Sequence, residues 1–297
     1  MSRLDGDFAR RCAGLCRGVG GAARQRFLAP PSLPRRAAGS EPSGLADYTC
    51  GDDYRYVDWN RAARLDELVS RQYYGSERGR VWMLLDVSAS MEIGQPAKLD
   101  AGRQLAAALG YACLARHDEL GAAAFGAAVG PWLRPCSGAA AAATYFRFLE
   151  GLGPQAGRTD LRAAARWLEP RCGAASQVVL VSDLLDPAGF AEPLGALRRR
   201  GCGIHVIQLY AAEDARPTRR GPVRLEDVET ADWLSAIIEA SDLANYQAVF
   251  QEFCLSVRQF CAGRGLACTQ LCSTARLAEA FAAVQRGSSR SSTRRVR

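Results

Sequence analysis

The sequence has little histidine, the side chain that acid–base enzymes use most often near neutral pH. Its 297 residues include only two histidines, and histidine is the side chain whose ordinary pKa lies closest to neutrality. His205 lies within an apolar segment and His117 in a polar turn, so neither indicates a Ser-His-Asp or Cys-His catalytic arrangement. The phosphate-binding pattern Gly-x-x-x-x-Gly-Lys-Ser/Thr is also absent. We therefore predict no enzymatic activity and no nucleotide hydrolysis by this chain.

Long apolar segments are missing as well. No run of the sequence approaches the roughly 20 apolar residues of a transmembrane helix. Near the N-terminus, Arg10, Arg11 and Arg17 interrupt the apolar core that a signal peptide requires. These absences argue against membrane insertion and against secretion, and we predict a cytoplasmic protein.

The spacing of the cysteines suggests neither a disulfide framework nor a zinc site. The sequence has 11 cysteines, an odd number, and they are scattered along a long chain. None forms a Cys-x-x-Cys pair, the spacing typical of structural zinc sites. Zinc binding by residues among Cys254, Cys261, Cys268 and Cys272 is therefore the weaker alternative. We expect reduced and mostly buried thiols, as in a cytosolic protein.

Positive charge is concentrated at the two ends of the sequence. Of the net charge of +7, residues 1–40 contribute +6 and residues 286–297 contribute +5, so the body between them carries −4. A nucleic-acid-binding domain normally places its basic residues on a folded surface. Lys98 is the only lysine, so arginine supplies nearly all of the positive charge. The acidic body argues against a nucleic-acid partner.

The segment 81–91 combines a buried strand with a loop that is rich in oxygen atoms. Its first five residues are continuously apolar, which favours a central parallel strand covered on both faces over an amphipathic helix. Asp86, Ser88 and Ser90 follow where that strand ends. Ligands of doubly wound sheets bind at the carboxyl ends of the strands. This Asp-x-Ser-x-Ser loop therefore presents hard oxygen ligands to a cation such as Mg²⁺.

Two later segments offer further oxygen ligands. Thr159 lies directly before a helical pattern that begins at Leu161, and Asp183 follows an apolar strand at 178–182. We predict a site for Mg²⁺ or Mn²⁺ formed by five residues: Asp86, Ser88, Ser90, Thr159 and Asp183. The alternative is that these side chains only cap the helices that follow the strands.

The five residues, in this order and each at the end of a suitable element, resemble the metal-ion-dependent adhesion site of von Willebrand factor A domains. The resemblance implies that a carboxylate from a protein partner fills an open position on the metal, so that the ion serves recognition and not turnover. One departure from the pattern is Arg158, because a second glycine commonly precedes the threonine.

Apolar and amphipathic segments alternate along the chain as in a parallel sheet with right-handed helical crossovers. We predict an α/β fold with a doubly wound, mostly parallel, Rossmann-like central sheet. The resemblance of the five residues implies that this fold is von Willebrand factor A-like. An antiparallel hairpin is predicted at 222–234. The predicted strands after 81–85 are 120–125, 178–182, 204–209 and 266–271, and the predicted helices are 98–116, 139–150, 161–168, 190–200, 242–263 and 274–284.

Proline, glycine and charge mark the predicted domain boundaries. A short helix within 4–28 and a Pro- and Gly-rich linker make up residues 1–43. Residues 44–79 form a separate block, and residues 80–286 form the α/β domain. The last segment, 287–297, consists of serine and arginine without core residues, so we predict a disordered basic tail there.

The block at 44–79 contains the string Gly-Asp-Asp-x-Arg-x-Val-Asp-Trp-x-x-x-Ala-Arg, which begins at Gly51. This string, upstream of the Asp-x-Ser-x-Ser loop, closely resembles the bacterial "domain of unknown function 58" family, and the resemblance covers about 48–283. It implies a von Willebrand factor A-like domain. It also implies association with a MoxR-type AAA+ ATPase, which would supply the ATP hydrolysis that this chain lacks.

The same block is dense in charged and aromatic side chains. We interpret Asp53, Arg55, Asp58 and Arg64 as paired charges that brace a sheet edge, with Trp59 packed against it. Surface recognition of a partner is the alternative interpretation.

The sequence leaves three functional hypotheses. We favour a metal-dependent interaction module, an adaptor or co-chaperone that binds a MoxR-type AAA+ ATPase or its client protein through an acidic side chain. A metal-dependent hydrolase with the same five residues is disfavoured, because no base or nucleophile is evident. An RNA-associated protein that uses the arginine-rich ends is disfavoured by the acidic body. No small-molecule substrate is expected.

Overall fold

The computed structural model describes residues 4–17, 41–47, 57–65, 69–74, 79–173, 176–229 and 232–292. The chain divides into two compact units, one formed by residues 32–78 and the other by residues 1–31 together with 79–297. The predicted metal ligands all lie in the larger unit.

Strands and helices alternate along most of the described chain. The strands are β1 (Glu41–Asp47), β2 (Val69–Tyr74), β3 (Arg80–Asp86), β4 (Glu119–Phe125), β5 (Val129–Cys136), β6 (Ser176–Ser182), β7 (Gly203–Tyr210), β8 (Gly221–Glu226), β9 (Trp233–Ile238) and β10 (Ala267–Cys272). The α-helices are α1 (Gly6–Arg17), α2 (Trp59–Leu65), α3 (Lys98–Ala115), α4 (Ala142–Glu150), α5 (Leu161–Leu168), α6 (Ala191–Arg199), α7 (Ala212–Ala215), α8 (Ala240–Gly263) and α9 (Leu277–Ser292).

The larger unit is built around the predicted, mostly parallel sheet. The spatial order of its strands is β10-β7-β6-β3-β4-β5, and each neighbouring pair is parallel except β4 with β5. An antiparallel pair, β8 with β9, forms a ribbon separate from the central sheet, as predicted, but it ends at Ile238 and not at residue 234. The α/β fold class and the mostly parallel sheet are therefore confirmed.

Helices cover both faces of the central sheet. On one face, α1, α3, α4 and α9 bury alternate residues of β3, namely Val81, Met83 and Leu85. On the other face, α5, α6 and α8 bury Trp82 and Leu84. Because both faces of β3 are covered, its sequence is apolar at consecutive positions and does not alternate between apolar and polar.

The order of the strands places two strand ends side by side at the centre of the sheet. β3 lies between β4, which follows it in the chain, and β6, which comes later and pairs on its other side. The direction in which the chain builds the sheet therefore reverses between β3 and β6. In doubly wound sheets such a reversal opens a crevice at the carboxyl ends of the two strands, where ligands bind.

β5 differs from the prediction, which has no strand at 129–136. This strand contains Pro131 and Pro135, and proline normally argues against a strand because it cannot donate a hydrogen bond to the ladder. β5 lies at the edge of the sheet, where one side of the strand has no neighbouring strand to form hydrogen bonds with. The edge position explains why both prolines are tolerated.

The C-terminal part of the prediction also needs correction. α9 continues to Ser292, so the predicted disordered tail is wrong for residues 287–292, and residues 293–297 lie outside the described ranges. At Gly287, a Cβ atom would lie only 2.6 Å from Thr269 Oγ1 of β10. This glycine therefore belongs to a packed helix, and its lack of a side chain permits close contact with the sheet.

The smaller unit contains β1, α2 and β2, with β1 and β2 paired antiparallel. β1 begins at Glu41, so the linker predicted to run to residue 43 extends too far. In the larger unit, α1 covers the first part of the helix predicted within 4–28, and residues 18–28 lie outside the described ranges.

The charged string of the smaller unit differs from the predicted brace. Asp58 Oδ1 accepts a hydrogen bond from Arg61 N at 3.2 Å, so this carboxylate caps α2. Trp59 is 61% exposed, which contradicts its predicted packing. Arg64 is exposed as well, and the predicted pairing of the charges stays a prediction. Asp53 and Arg55, the other members of the predicted brace, lie outside the described residues.

Within the described ranges, no helix combines the length and the apolar character needed to cross a membrane. The cysteines in these ranges are free thiols that are buried or partly buried. Four of them are buried and six are only partly buried, so the thiols are less buried than predicted, and their reduced state stays a prediction.

Candidate metal centre

The loop after β3 brings its carboxylate and hydroxyl oxygens close together. Asp86 and Ser88 are inaccessible to solvent and Ser90 is almost so. Asp86 Oδ1 accepts a hydrogen bond from Ser88 N at 2.9 Å, which fixes the turn, and the Ser88 and Ser90 Oγ atoms lie 3.1 Å apart. Neighbouring ligands of an octahedral Mg²⁺ are separated by roughly 3 Å, given metal–oxygen distances of about 2.1 Å. The two hydroxyls thus have the spacing of adjacent metal ligands.

The capping alternative does not account for Ser88. This residue stands at the N-terminal end of a 3₁₀ turn, Ala89–Glu92, but its side chain makes no capping hydrogen bond. By contrast, Asp160 caps α5 by accepting a hydrogen bond from Ala163 N at 2.8 Å. The side chain of Ser88 is directed to Ser90 and remains available as an oxygen ligand.

Backbone contacts hold the loop that carries Thr159 against the loops after β3 and β4. Gln155 N donates to Val87 O at 2.6 Å, and Asp160 N donates to Gly126 O at 2.9 Å. Gly157 between them has a φ of +100°, a conformation that side chains disfavour. Thr159 is consequently buried, whereas Arg158 is exposed. The arginine that departs from the expected glycine therefore does not prevent burial of the threonine.

Asp183 reaches the site from the end of β6, the strand adjacent to β3. It is 3% exposed, and its Oδ1 accepts a hydrogen bond from Leu185 N at 3.1 Å. Leu184 has a φ of +63°, in the left-handed region that non-glycine residues rarely adopt. Such a conformation costs about 1–3 kcal/mol and often occurs at functional sites. This sharp turn directly after β6 keeps Asp183 in the site.

Ser182 connects the two aspartates, although its role is not evident from the sequence. Its hydroxyl donates to Asp86 Oδ2 at 2.6 Å and accepts a hydrogen bond from Leu184 N at 2.9 Å. Both oxygens of Asp86 are thus oriented by hydrogen bonds. The sequence feature that could have indicated this role is the position of Ser182. It is the last residue of β6 and directly precedes Asp183, a predicted ligand.

Lys98 is a second residue of the site that the sequence does not indicate. Its side chain is inaccessible to solvent, and its Nζ lies 2.8 Å from Asp183 Oδ2 and 3.0 Å from Asp214 Oδ2. Burial lowers the pKa of Lys98, but the charges of Asp183 and Asp214 outweigh burial and raise it overall. The Lys98 side chain therefore keeps its positive charge in the site, and its ammonium group holds Oδ2 of Asp183 in place.

The site concentrates negative charge away from water. Burial, and after it the nearby charge of Asp183, raise the pKa of Asp86 to about 7, against hydrogen bonds from Ser182 and Ser88 that lower it. A bound cation stabilises the charged form of a carboxylate whose pKa is raised by burial and by a neighbouring carboxylate. The charge of the site therefore suits a divalent metal.

The donor set also fits a hard cation and not a zinc ion held by cysteines. In the described part of the chain, no group of three or more His, Cys, Asp or Glu side chains is arranged to hold a metal. This absence argues against zinc binding by the cysteines. It also means that an ion held by Asp86 and Asp183 needs the hydroxyl oxygens as further ligands. Two carboxylates and three hydroxyls at adjacent loop ends form the oxygen-only set that Mg²⁺ and Mn²⁺ prefer: Asp86, Ser88, Ser90, Thr159 and Asp183.

Glu229 lies next to this set and is likewise not indicated by the sequence. Thr159 Oγ1 donates a hydrogen bond to Glu229 Oε1 at 3.1 Å. Burial raises the pKa of Glu229, the hydrogen bond from Thr159 lowers it, and the charge of Asp183 raises it again. The structure thus brings all five predicted residues to one edge of the sheet and adds Ser182, Lys98 and Glu229.

Comparisons with known proteins give relatives of similar sequence but no assigned function. Uncharacterized protein Rv1480 of Mycobacterium tuberculosis (strain ATCC 25618 / H37Rv) is 28% identical over 196 residues, which cover 65% of this chain and 62% of the relative. Uncharacterized protein Mb1516 of Mycobacterium bovis matches with the same identity and coverage. The chain thus spans 62% of the length of these relatives.

Solved structures resemble the chain only distantly. An aerotolerance-related membrane protein from Bacteroides fragilis is 14% identical with a TM-score of 0.47, over 71% of this chain and 99% of that chain. Proximal thread matrix protein 1 from the mussel byssus, with a zinc-occupied MIDAS motif, is 12% identical with a TM-score of 0.36, over 44% of this chain and 38% of that chain. We draw no functional conclusion from similarities at this level.

A family assignment comes from the sequence itself. The pattern that defines the protein family of unknown function DUF58 matches residues 45–249, which include the string upstream of β3 and all five candidate metal ligands. Because this match covers most of the chain, the chain belongs to the DUF58 family.

Proposed function

We propose that the larger unit is a von Willebrand factor A-like interaction module that binds a divalent cation, Mg²⁺ or Mn²⁺, and uses it to recognise a protein partner. The observation that carries this proposal is the meeting of two buried carboxylates, Asp86 and Asp183, with the closely spaced hydroxyls of Ser88 and Ser90 at the central crevice. The ligands would be these four residues and Thr159.

The choice of ligands determines what the bound ion can do. Three of the five ligands are neutral hydroxyls, so the ion keeps part of its positive charge and attracts a further anionic oxygen. An Asp or Glu side chain of a partner supplies such an oxygen. Hydrolysis would also need a free base next to the metal. His205 is hydrogen-bonded to Thr269, and the carboxylate beside the ligands, Glu229, accepts a hydrogen bond from Thr159. Recognition therefore fits the residues better than turnover.

The partner that we propose is a MoxR-type AAA+ ATPase or its client protein, met in the cytoplasm. Support comes from the resemblance of the string at 51–64 and from the absence of a phosphate-binding loop in this chain. An adaptor of this kind would contribute recognition, while the ATPase would contribute the energy for remodelling. The acidic body of the chain would repel carboxylates that approach elsewhere and so restrict recognition to the metal.

Calorimetric titration with Mn²⁺ and Mg²⁺ tests the metal site. The parent protein should bind one ion, and Asp86→Ala and Asp183→Ala should each abolish binding, because each removes a charged ligand. Asp7→Ala is the matched control, since that aspartate is exposed in α1 and should leave binding unchanged. Equal metal affinity in the parent, Asp86→Ala and Asp183→Ala would refute the assignment of the site.

Affinity purification from the native cell tests the partnership. A MoxR-type ATPase or its client should be retained by the parent protein with Mg²⁺, and lost with EDTA or with Thr159→Ala. Circular dichroism should show that the fold survives both treatments. Retention of the same partner in EDTA would exclude the metal bridge, and the absence of any such partner would exclude the partnership.

A further inference from the structure

The short connection between β8 and β9 carries Glu229 to the metal centre. Asp227 N donates to Asp232 O at 2.8 Å across this connection, and Glu229 N donates to Asp227 Oδ1 at 2.8 Å. The second of these hydrogen bonds lies within residues 227–229 and fixes the backbone at Glu229. Glu229 is therefore held in a defined turn and is only partly exposed.

The carboxylate of Glu229 occupies the approach to Thr159. Thr159 Oγ1, which is almost inaccessible to solvent, donates to Glu229 Oε1 at 3.1 Å. Oxygens at neighbouring positions of an octahedral Mg²⁺ lie roughly 3 Å apart. The distance between Glu229 Oε1 and Thr159 Oγ1 is therefore the one expected between two neighbouring metal ligands. A carboxylate oxygen is also the ligand that we expect a partner to provide.

We propose that Glu229, held beside the site by Thr159, enters the open metal position when the ion binds, and that a partner's Asp or Glu side chain must displace it. This inference rests on the proposed metal-dependent function and adds its regulation. A tethered carboxylate competes at a high effective concentration, commonly about millimolar for short tethers. This competition excludes from the metal any carboxylate that binds weakly or without other contacts to the protein. A partner that makes further contacts can still displace Glu229.

The ribbon that carries Glu229 can separate from the site without disrupting the central sheet. β8 and β9 pair with each other and not with any strand of that sheet. Displacement of Glu229 therefore breaks its hydrogen bond to Thr159 and leaves the strand pairing around Asp86 and Asp183 intact. The exchange of one carboxylate for another then costs little structural rearrangement.

A competing interpretation is that Glu229 only orients the Thr159 hydroxyl. In that case, removal of its charge would weaken metal binding through a less well-oriented ligand. It would not release a coordination position. The two interpretations therefore differ in the number of water molecules on the bound ion and in the affinity of that ion for added carboxylate.

The test uses Mn²⁺ bound to the full chain, with water-proton relaxation as the measure of bound water. Glu229→Gln should gain about one Mn²⁺-bound water relative to the parent and should bind added acetate about tenfold more tightly. Glu226→Gln is the matched control, because Glu226 is an exposed residue of the same ribbon and should behave as the parent.

The outcomes separate this inference from the proposed function. If Asp86→Ala abolishes Mn²⁺ binding while Glu229→Gln matches the parent in bound water and acetate affinity, only the role of Glu229 is overturned. That role is also overturned if Glu229→Gln lowers Mn²⁺ affinity without a gain of water. If the parent binds no Mn²⁺, or if Asp86→Ala binds it normally, the proposed function and this inference both fall.

Discussion

The Lys98 ammonium lies 2.8 Å from the carboxylate of Asp183, and both side chains are buried. A second carboxylate, that of Asp214, lies 3.0 Å from the same nitrogen. The only lysine of the chain therefore neutralises part of the negative charge at the candidate metal centre. It also leaves one oxygen of Asp183, Oδ1, outside the ion pair.

Replacement of Lys98 by methionine should destabilise the metal-free protein by about 3–5 kcal/mol, because it leaves Asp183 and Asp214 without their buried cation. Added Mn²⁺ should restore more stability to this variant than to the parent, since the ion binds the folded state and supplies the missing positive charge. Chemical denaturation with and without Mn²⁺ measures both effects.

Arg80→Met provides the control for this prediction. Arg80 pairs with Glu119 on the surface, with about half of the arginine side chain exposed, and such pairs contribute less than about 1 kcal/mol. Similar losses of stability in Lys98→Met and Arg80→Met would show that the buried ion pair has no special role.

Removal of the Ser182 hydroxyl should weaken metal binding, although Ser182 is not proposed as a ligand. Ser182 donates to Asp86 Oδ2 at 2.6 Å and so orients the carboxylate. Loss of a group that orients a metal ligand typically lowers metal affinity by about 10–100-fold. We expect a loss of this size in Ser182→Ala by calorimetry, and substantial recovery in Ser182→Thr, which keeps the hydroxyl.

Ser176→Ala distinguishes orientation of Asp86 from a general effect on β6. Ser176 is a buried residue of the same strand whose hydroxyl accepts a hydrogen bond from Gly173 N at 3.0 Å. This variant should lose some stability and keep its metal affinity. Equal metal affinity in Ser182→Ala and the parent would contradict the role of Ser182.

The central strands and the five predicted ligands could be identified from sequence because local patterns specify them. β3 and β6 are apolar at consecutive positions, which is the pattern of strands that are buried on both faces. Asp86 and Asp183 then mark the points where those strands end. A parallel sheet brings such ends to one edge, so no knowledge of the detailed packing is required.

The supporting residues could not be identified in the same way, because their contacts join distant parts of the chain. Ser182 and Asp86 are 96 positions apart, Lys98 and Asp183 are 85 apart, and Glu229 and Thr159 are 70 apart. Which side chains meet over such separations depends on the register of the strands and the packing of the helices. The exposure of Trp59 and Arg64 likewise depends on tertiary structure and not on local composition.

The pH dependence of stability should include a contribution from His205. Burial lowers the pKa of this histidine to about 4, whereas it is about 6.5 in an unfolded chain. As the pH falls from 6.5 to 4, the unfolded chain takes up a proton at this position and the folded protein does not. Stability from this source is therefore complete above pH 6.5 and falls by about 3 kcal/mol on acidification to pH 4.

His205→Gln should lack this loss, so the difference in unfolding free energy between variant and parent should change with pH across that window. Denaturant titrations at several pH values measure the difference. His117→Gln, a replacement at an exposed position, should retain the pH dependence of the parent. A pH-independent difference between His205→Gln and the parent would contradict the prediction.

Replacement of Gly287 by alanine should destabilise the protein, although alanine favours helices over glycine by about 1 kcal/mol. A Cβ at this position would lie 2.6 Å from Thr269 Oγ1, and that hydroxyl is hydrogen-bonded to His205 Nε2 at 2.8 Å. Overpacking of this kind costs about 1–3 kcal/mol.

Gly14→Ala in α1 is the control, because a Cβ there meets no atom within 4 Å, and it should stabilise the protein by about 0.5–1 kcal/mol. Thermal unfolding measures both changes, and a stabilised Gly287→Ala variant would show that the C-terminal part of α9 does not pack on β10.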